Sequence, residues 1–172
     1  TDHLDTVFAK LYASAEERAS EEGGDWDRWL RDALESDSFY LLYQPLVALT
    51  SDQTARYEAR IRITGPDGEE MHPGDFMARA DELGLTPQID RRVLETVVRQ
   101  LADAIRRGEQ TVIFMKVAGA TLSDTSFIEA ASEALREHNV NGSRLVFEVS
   151  EPIAVTQLNQ AKQFFKAVKE LK

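Results

Sequence analysis

The chain has 172 residues, with 30 acidic and 20 basic side chains, a formal net charge of -10 and no cysteine. That length suffices for one domain with a buried core, and the field of so acidic a molecule repels polyanions, which argues against non-specific binding to nucleic acid or anionic membrane. The missing thiols exclude disulfides, thiolate catalysis and cysteine-based zinc sites; with no apolar run long enough to span a bilayer, the sequence reads as a soluble cytoplasmic segment without membrane insertion.

In chain order, residues 1–20 place Leu4, Val7, Phe8, Leu11 and Tyr12 on one side of a predicted amphipathic helix, which dissolves into the polar run SAEERASEEGGD. The tetrad GGDW at 23–26 invites comparison with the GGDEF signature of diguanylate cyclases, but no strand or hairpin pattern surrounds it. The plainer reading has Gly24 ending one helix and Asp25 capping the next, over 26–34. Residues 1–37 are thus expected to be helical linker. From Phe39 the texture changes: FYLLYQPLVAL reads as a strand, TSDQT as a turn region, and ARYEARIRI at 55–63 as a second strand antiparallel to the first. Alternation puts Tyr57, Ala59, Ile61 and Ile63 on a buried face and Glu58, Arg60 and Arg62 on the opposite, charged face.

GPDGEE is turn chemistry, and a helix is predicted from Asp75 to Leu83, stopping at Gly84. The next helix has Thr86 as N-cap, Pro87 at its first position, apolar residues at 89, 93, 94, 97, 101 and 105, and Gly108 beyond its end. A repeated unit follows: strand TVIFMKVA, helix from Asp124 to His138, strand RLVFEVS, helix from Val155 to Leu171. Strands alternating with helices predict an α/β fold with a parallel sheet, and the succession suits a (β/α) barrel. Such a barrel takes about 250 residues and eight strands. The four strands predicted here make either a small open sheet or the first half of a barrel.

Lys116 and Glu148 each fall near the carboxyl end of a strand, where ligands bind in parallel barrels, so both could converge with Glu58 on one mouth. The alternative is that each charge reaches past a strand end toward water. His3, His72 and His138 are scattered without ligand spacing and read as surface residues, and GPDG lacks the spacing of a phosphate cradle.

In order and spacing, the runs YQPLV, YEARIR, HPGDFMARADELGLTPQIDRRVLE, FMKVA and LVFEVSEP resemble the EAL domain family, from residue 39 to about residue 157. The resemblance implies a TIM-like (β/α) barrel whose first strand is antiparallel to the others, with residues 38–172 forming the N-terminal half of the domain. Active members linearise cyclic di-GMP with two divalent cations. Gln44 and Arg62 match family positions that contact the dinucleotide, Glu58 matches the metal-binding Glu of the EAL signature, and Glu148 matches a second metal ligand. Two departures stand out: the signature Leu is Arg60, and a metal-ligating Asn is Lys116. An ammonium has no lone pair to donate and adds positive charge where a cation would sit.

Gln44, Arg62, Glu58 and Arg60 are therefore expected to contact cyclic di-GMP, while Glu58, Lys116 and Glu148 mark a degenerate metal site. The resemblance implies a receptor without resident Mg²⁺ or Mn²⁺, of the kind acting in type IV pilus regulation, with a PilZ-type protein partner and possible homodimerisation. Two alternatives remain at this stage: an active metal-dependent phosphodiesterase, and an interaction scaffold in which Arg60 and Arg62 merely pair with Glu58.

Overall fold

In the computed structural model the described residues are 26–36, 38–49, 54–65 and 68–171, so the expected helix over residues 1–20 and the caps at Gly24 and Asp25 lie outside them. The chain divides into two compact units, Thr1–Ser38 and Phe39–Lys172. In the first, residues 26–35 form helix α1, whose Leu30 and Ala33 are buried and whose Trp26 and Trp29 rings meet edge to face at 5.0 Å.

The second unit contains β1 (Phe39–Leu46), β2 (Ala55–Thr64), β3 (Glu70–Met71), α2 (Pro73–Glu82), α3 (Thr86–Arg106), β4 (Thr111–Lys116), α4 (Thr125–Glu137), β5 (Leu145–Glu148), α5 (Glu151–Thr156) and α6 (Leu158–Val168). The sheet order is β1-β2-β4-β5, with β1 antiparallel to β2 and the pairs β2–β4 and β4–β5 parallel. An antiparallel first strand followed by parallel ones joined through helices is the α/β arrangement that the alternation of elements implies.

Strand alternation decides where the core lies. Ala59, Ile63, Ile113, Met115, Leu145 and Phe147 share the face on which the helices pack, and all six are buried. There Phe147 meets Phe127 of α4 and Phe164 of α6 at 5.8 and 5.7 Å in edge-to-face geometry, while Phe39 meets Phe76 of α2 at 5.8 Å. Helix α3 brings Ile89, Leu94, Val97, Val98 and Leu101 to the same core.

Several expectations need correction. The sheet has a fifth strand, β3, where a plain turn was expected: Gly65 donates to the Glu69 carbonyl at 2.8 Å, Gly68 takes φ +85°, and the chain returns so that Met71 pairs Ile63. A two-residue strand carries no periodicity to read. Thr86 does not cap α3; Leu85 holds that position and the Thr86 hydroxyl donates instead to Asp81 at 3.2 Å. Ile105 faces outward, and Tyr57 and Ile61 are only half-buried. The last predicted helix begins earlier, at Glu151, and is broken at Gln157, whose ψ of 43° leaves the helical region.

Candidate functional site

The face of the sheet opposite the helices carries the charge. In register, Gln44 lies beside Glu58, Leu42 beside Arg60 and Tyr40 beside Arg62; Glu58 in turn pairs Phe114, and Lys116 pairs Glu148. Neighbours in a register share a face, so one surface collects Gln44, Glu58, Arg60, Arg62, Lys116 and Glu148.

Contact unites three of them. The Lys116 ammonium lies 3.1 Å from Glu58 Oε1, and an Arg60 terminal nitrogen lies 3.0 Å from Glu58 Oε2. Glu58 is largely buried while Lys116 stays exposed. Each carboxylate oxygen thus faces a cation supplied by the protein. The chemistry of this donor set does not fit a divalent cation between Glu58 and Lys116, because the ammonium occupies the approach and offers no lone pair. Among the described residues, no group of three or more His, Asp or Glu side chains is arranged to hold a metal ion.

Arg62, expected to contact the dinucleotide, does not pair with Glu58 as the scaffold alternative would have it. Its Nε donates to Glu70 at 3.3 Å and a terminal nitrogen donates to the Ile61 carbonyl at 2.8 Å, while the Tyr40 hydroxyl closes the cluster by donating to Glu70. The Tyr40 hydrogen bond, with help from the Arg62 guanidinium, holds the Glu70 carboxyl below its ordinary range. The partner that β3 supplies was invisible in sequence because β3 itself was.

At the carboxyl end of β4, Glu58, Arg60, Arg62 and Lys116 border a pocket of about 430 Å³, where β2 runs on past the last pair with β4 and leaves space before α3 and α5. Its charged lining is Glu58, Arg60, Arg62, Asp90 and Lys116, with His72 from the turn before α2; Met77, Ile89 and Val93 provide an apolar wall. Its three cations, Arg60, Arg62 and Lys116, face Glu58, Asp90 and, beside Arg62, Glu70, so charge is close to balanced within an acidic chain, and the guanidinium and ammonium donors beside an apolar wall suit an anion carrying an apolar ring. Gln44 is exposed and Glu148 half-buried; both lie on the same face of the sheet as Glu58 and Lys116, but neither lines this pocket.

Two lining residues were missed. His72, read as a surface residue, is exposed yet borders the pocket. Asp90, 5 % exposed, accepts from the Ala118 N–H at 2.9 Å and from the Thr121 hydroxyl at 2.6 Å. Burial pushes its carboxyl up to about 6, against the opposing pull of those two donors. An acidic residue inside an otherwise apolar helix stripe, between Ile89 and Val93, was the available signal.

Comparison with known proteins bears on the fold and the family. The EAL domain of FimX from Pseudomonas aeruginosa bound to c-di-GMP superposes with a TM-score of 0.80 at 35% identity, covering 86% of this chain and 59% of that one. The FimX EAL domain of Xanthomonas citri in complex with c-di-GMP gives 0.81 at 36%, covering 90% and 60%. The Escherichia coli (strain K12) cyclic di-GMP phosphodiesterase PdeF is 27% identical over 142 residues, 83% of this chain and 19% of its own length. The chain therefore spans about three fifths of the solved domains and about a fifth of that curated relative. The EAL domain profile matches residues 27–172, and the chain belongs to the EAL domain family.

Proposed function

We propose that this chain carries the cyclic di-GMP-contacting part of an EAL domain that binds the nucleotide without hydrolysing it. The observation that carries the reading is the 3.1 Å pair between Lys116 and Glu58; by the resemblance in sequence Lys116 stands for a metal-ligating Asn, so its positive charge would take the place of a catalytic cation. Without a cation at this point there is no metal-activated water and no metal clamp for in-line attack on phosphate. Arg62, Arg60 and Lys116 instead offer charge-assisted hydrogen bonds to phosphate oxygens, and Gln44, in register with Glu58, offers an amide from the neighbouring strand. FimX domains solved with the nucleotide support the binding half of this reading. Action in type IV pilus regulation, in the cytoplasm and with a PilZ-type partner, is the fuller form of the proposal and rests on the resemblance in sequence wording.

The competing reading, an active phosphodiesterase, draws on relatives such as PdeF and on Glu148 in register with Lys116. Calorimetric titration of the full-length protein with cyclic di-GMP, in Mg²⁺ and in chelator, alongside a hydrolysis assay, separates the two. Binding of equal strength in both conditions without linearisation supports a receptor; Mg²⁺-dependent linearisation establishes the enzyme; no binding leaves only a scaffold.

A further inference from the structure

We propose that Asp90 is a positioning residue for the pocket: a carboxylate on α3 that anchors the segment following β4 and so holds Lys116 against Glu58. Its consequence for ligand binding rests on the nucleotide reading above.

The segment Val117–Ser123 is held from two sides. On one side Asp90 Oδ2 accepts both the Ala118 N–H and the Thr121 hydroxyl, and Thr121 is fully buried. On the other side, a Cβ added to Gly119 would stand 2.6 Å from Gln157 Nε2 and 3.3 Å from Ile153 Cγ2, so α5 and the residue that ends it press directly on the backbone. Within the segment the Val117 N–H donates to the Glu148 carbonyl at 2.8 Å and the Thr121 N–H to the Ala118 carbonyl at 3.2 Å. Lys116 is the last strand residue before this clamp, and its exposed ammonium gains little position from its own packing.

A buried carboxylate is a costly way to join a helix to a loop. Asp90 has no ion-pair partner among the described contacts, and burial holds its carboxyl above the ordinary range, so the ionised form is disfavoured in the fold. An apolar residue here would fill the stripe of α3 but would leave the Ala118 N–H and the Thr121 hydroxyl without acceptors.

The test uses the full-length protein and four variants: Asp90→Ala, Asp90→Asn, Lys116→Met and the double variant Asp90→Ala/Lys116→Met. At a temperature where each is folded, Asp90→Ala is expected to weaken cyclic di-GMP by about fivefold, the scale of one hydrogen bond. Asp90→Asn, which keeps an acceptor, restores affinity to within about twofold, and the Asp90→Ala loss shrinks to under about twofold in the Lys116→Met background. Amide exchange at Val117 and Thr121, whose backbone N–H groups donate to Glu148 and Ala118 rather than to Asp90, accelerates roughly tenfold in Asp90→Ala. Acceleration confined to Ala118, or an undiminished loss in the Lys116→Met background, overturns the proposal. If the wild-type protein does not bind cyclic di-GMP, the nucleotide reading falls, and exchange at Val117 and Thr121 alone decides for or against positioning. Should Asp90→Ala not fold, Thr121→Val removes one donor and is read by exchange at Val117 and by affinity in the same way.

Discussion

Three side chains decide the chemistry at the smallest scale. Glu58 carries the burial, Lys116 and Arg60 carry the compensating charge, and the trio leaves Arg62 to a separate partner on β3. Lys116→Asn removes the ammonium and restores an oxygen donor, so that variant is expected to bind Mg²⁺ or Mn²⁺ at this position more tightly than the wild-type protein, measurable by calorimetry. Arg62→Ala is expected to weaken cyclic di-GMP by roughly 1.5 to 3 kcal/mol, the range of hydrogen bonds to charged groups. Its fold should survive, because the Glu70 left behind is 43% exposed and returns to water; a large drop in melting temperature with unchanged affinity would make Arg62 a structural residue instead. For Asp90 the sign of the pH effect follows from its carboxyl rising from 3.8 to about 6. The folded state holds that proton more tightly than the unfolded chain, so stability is greatest below pH 3.8, declines as pH rises, and bears the full cost above about 6. The melting-temperature difference between wild type and Asp90→Asn should therefore grow in favour of the variant from pH 4 to about 7.

Among the elements, β2 does most to place the site, because one of its faces feeds the core through Ala59 and Ile63 while the other presents Glu58, Arg60 and Arg62. The cluster of Phe127, Phe147 and Phe164 is the joint that fixes α4 and α6 to β5. Phe127 is fully buried, so Phe127→Ala should cost about 3 to 5 kcal/mol in denaturant unfolding. A loss under about 1 kcal/mol would mean that the joint repacks. The alternation of β2, the long stripe of α3 and the strand–helix repeat were legible in sequence because each rests on a period that side chains declare locally. Glu58, Arg60 and Arg62 were legible as one charged face for the same reason, whereas the convergence of Glu58, Lys116 and Glu148 was read from strand ends, and of those contacts the structure shows Lys116 with Glu58. What stayed hidden depends on contacts distant in sequence or on very short elements. The Arg62–Glu70 pair requires the two-residue β3, the break at Gln157 accompanies its crowding against Gly119, and Asp90 gains meaning only from Ala118 and Thr121 across the core.

For the molecule as a whole, the sheet's two faces are unequally covered. Helices bury Ile113, Met115 and Phe147, whereas Val112, Phe114 and Val146 on the opposite face are half-buried and Leu42 is 43% exposed. The chain spans 59–60% of the FimX EAL domains it resembles. In a barrel this second face is interior. These 172 residues in isolation are therefore expected to self-associate in sedimentation and to bind cyclic di-GMP more weakly than the full-length protein. A monodisperse monomer with cooperative unfolding would show that the half-covered face needs no further chain.

Lys116 is proposed to stand where the family keeps a cation, and the most direct test is calorimetry of the full-length protein with cyclic di-GMP in Mg²⁺ and again in chelator, with the nucleotide recovered afterwards. The expected result is one affinity under both conditions and intact cyclic nucleotide at the end; recovery of linear dinucleotide in Mg²⁺ but not in chelator would contradict it.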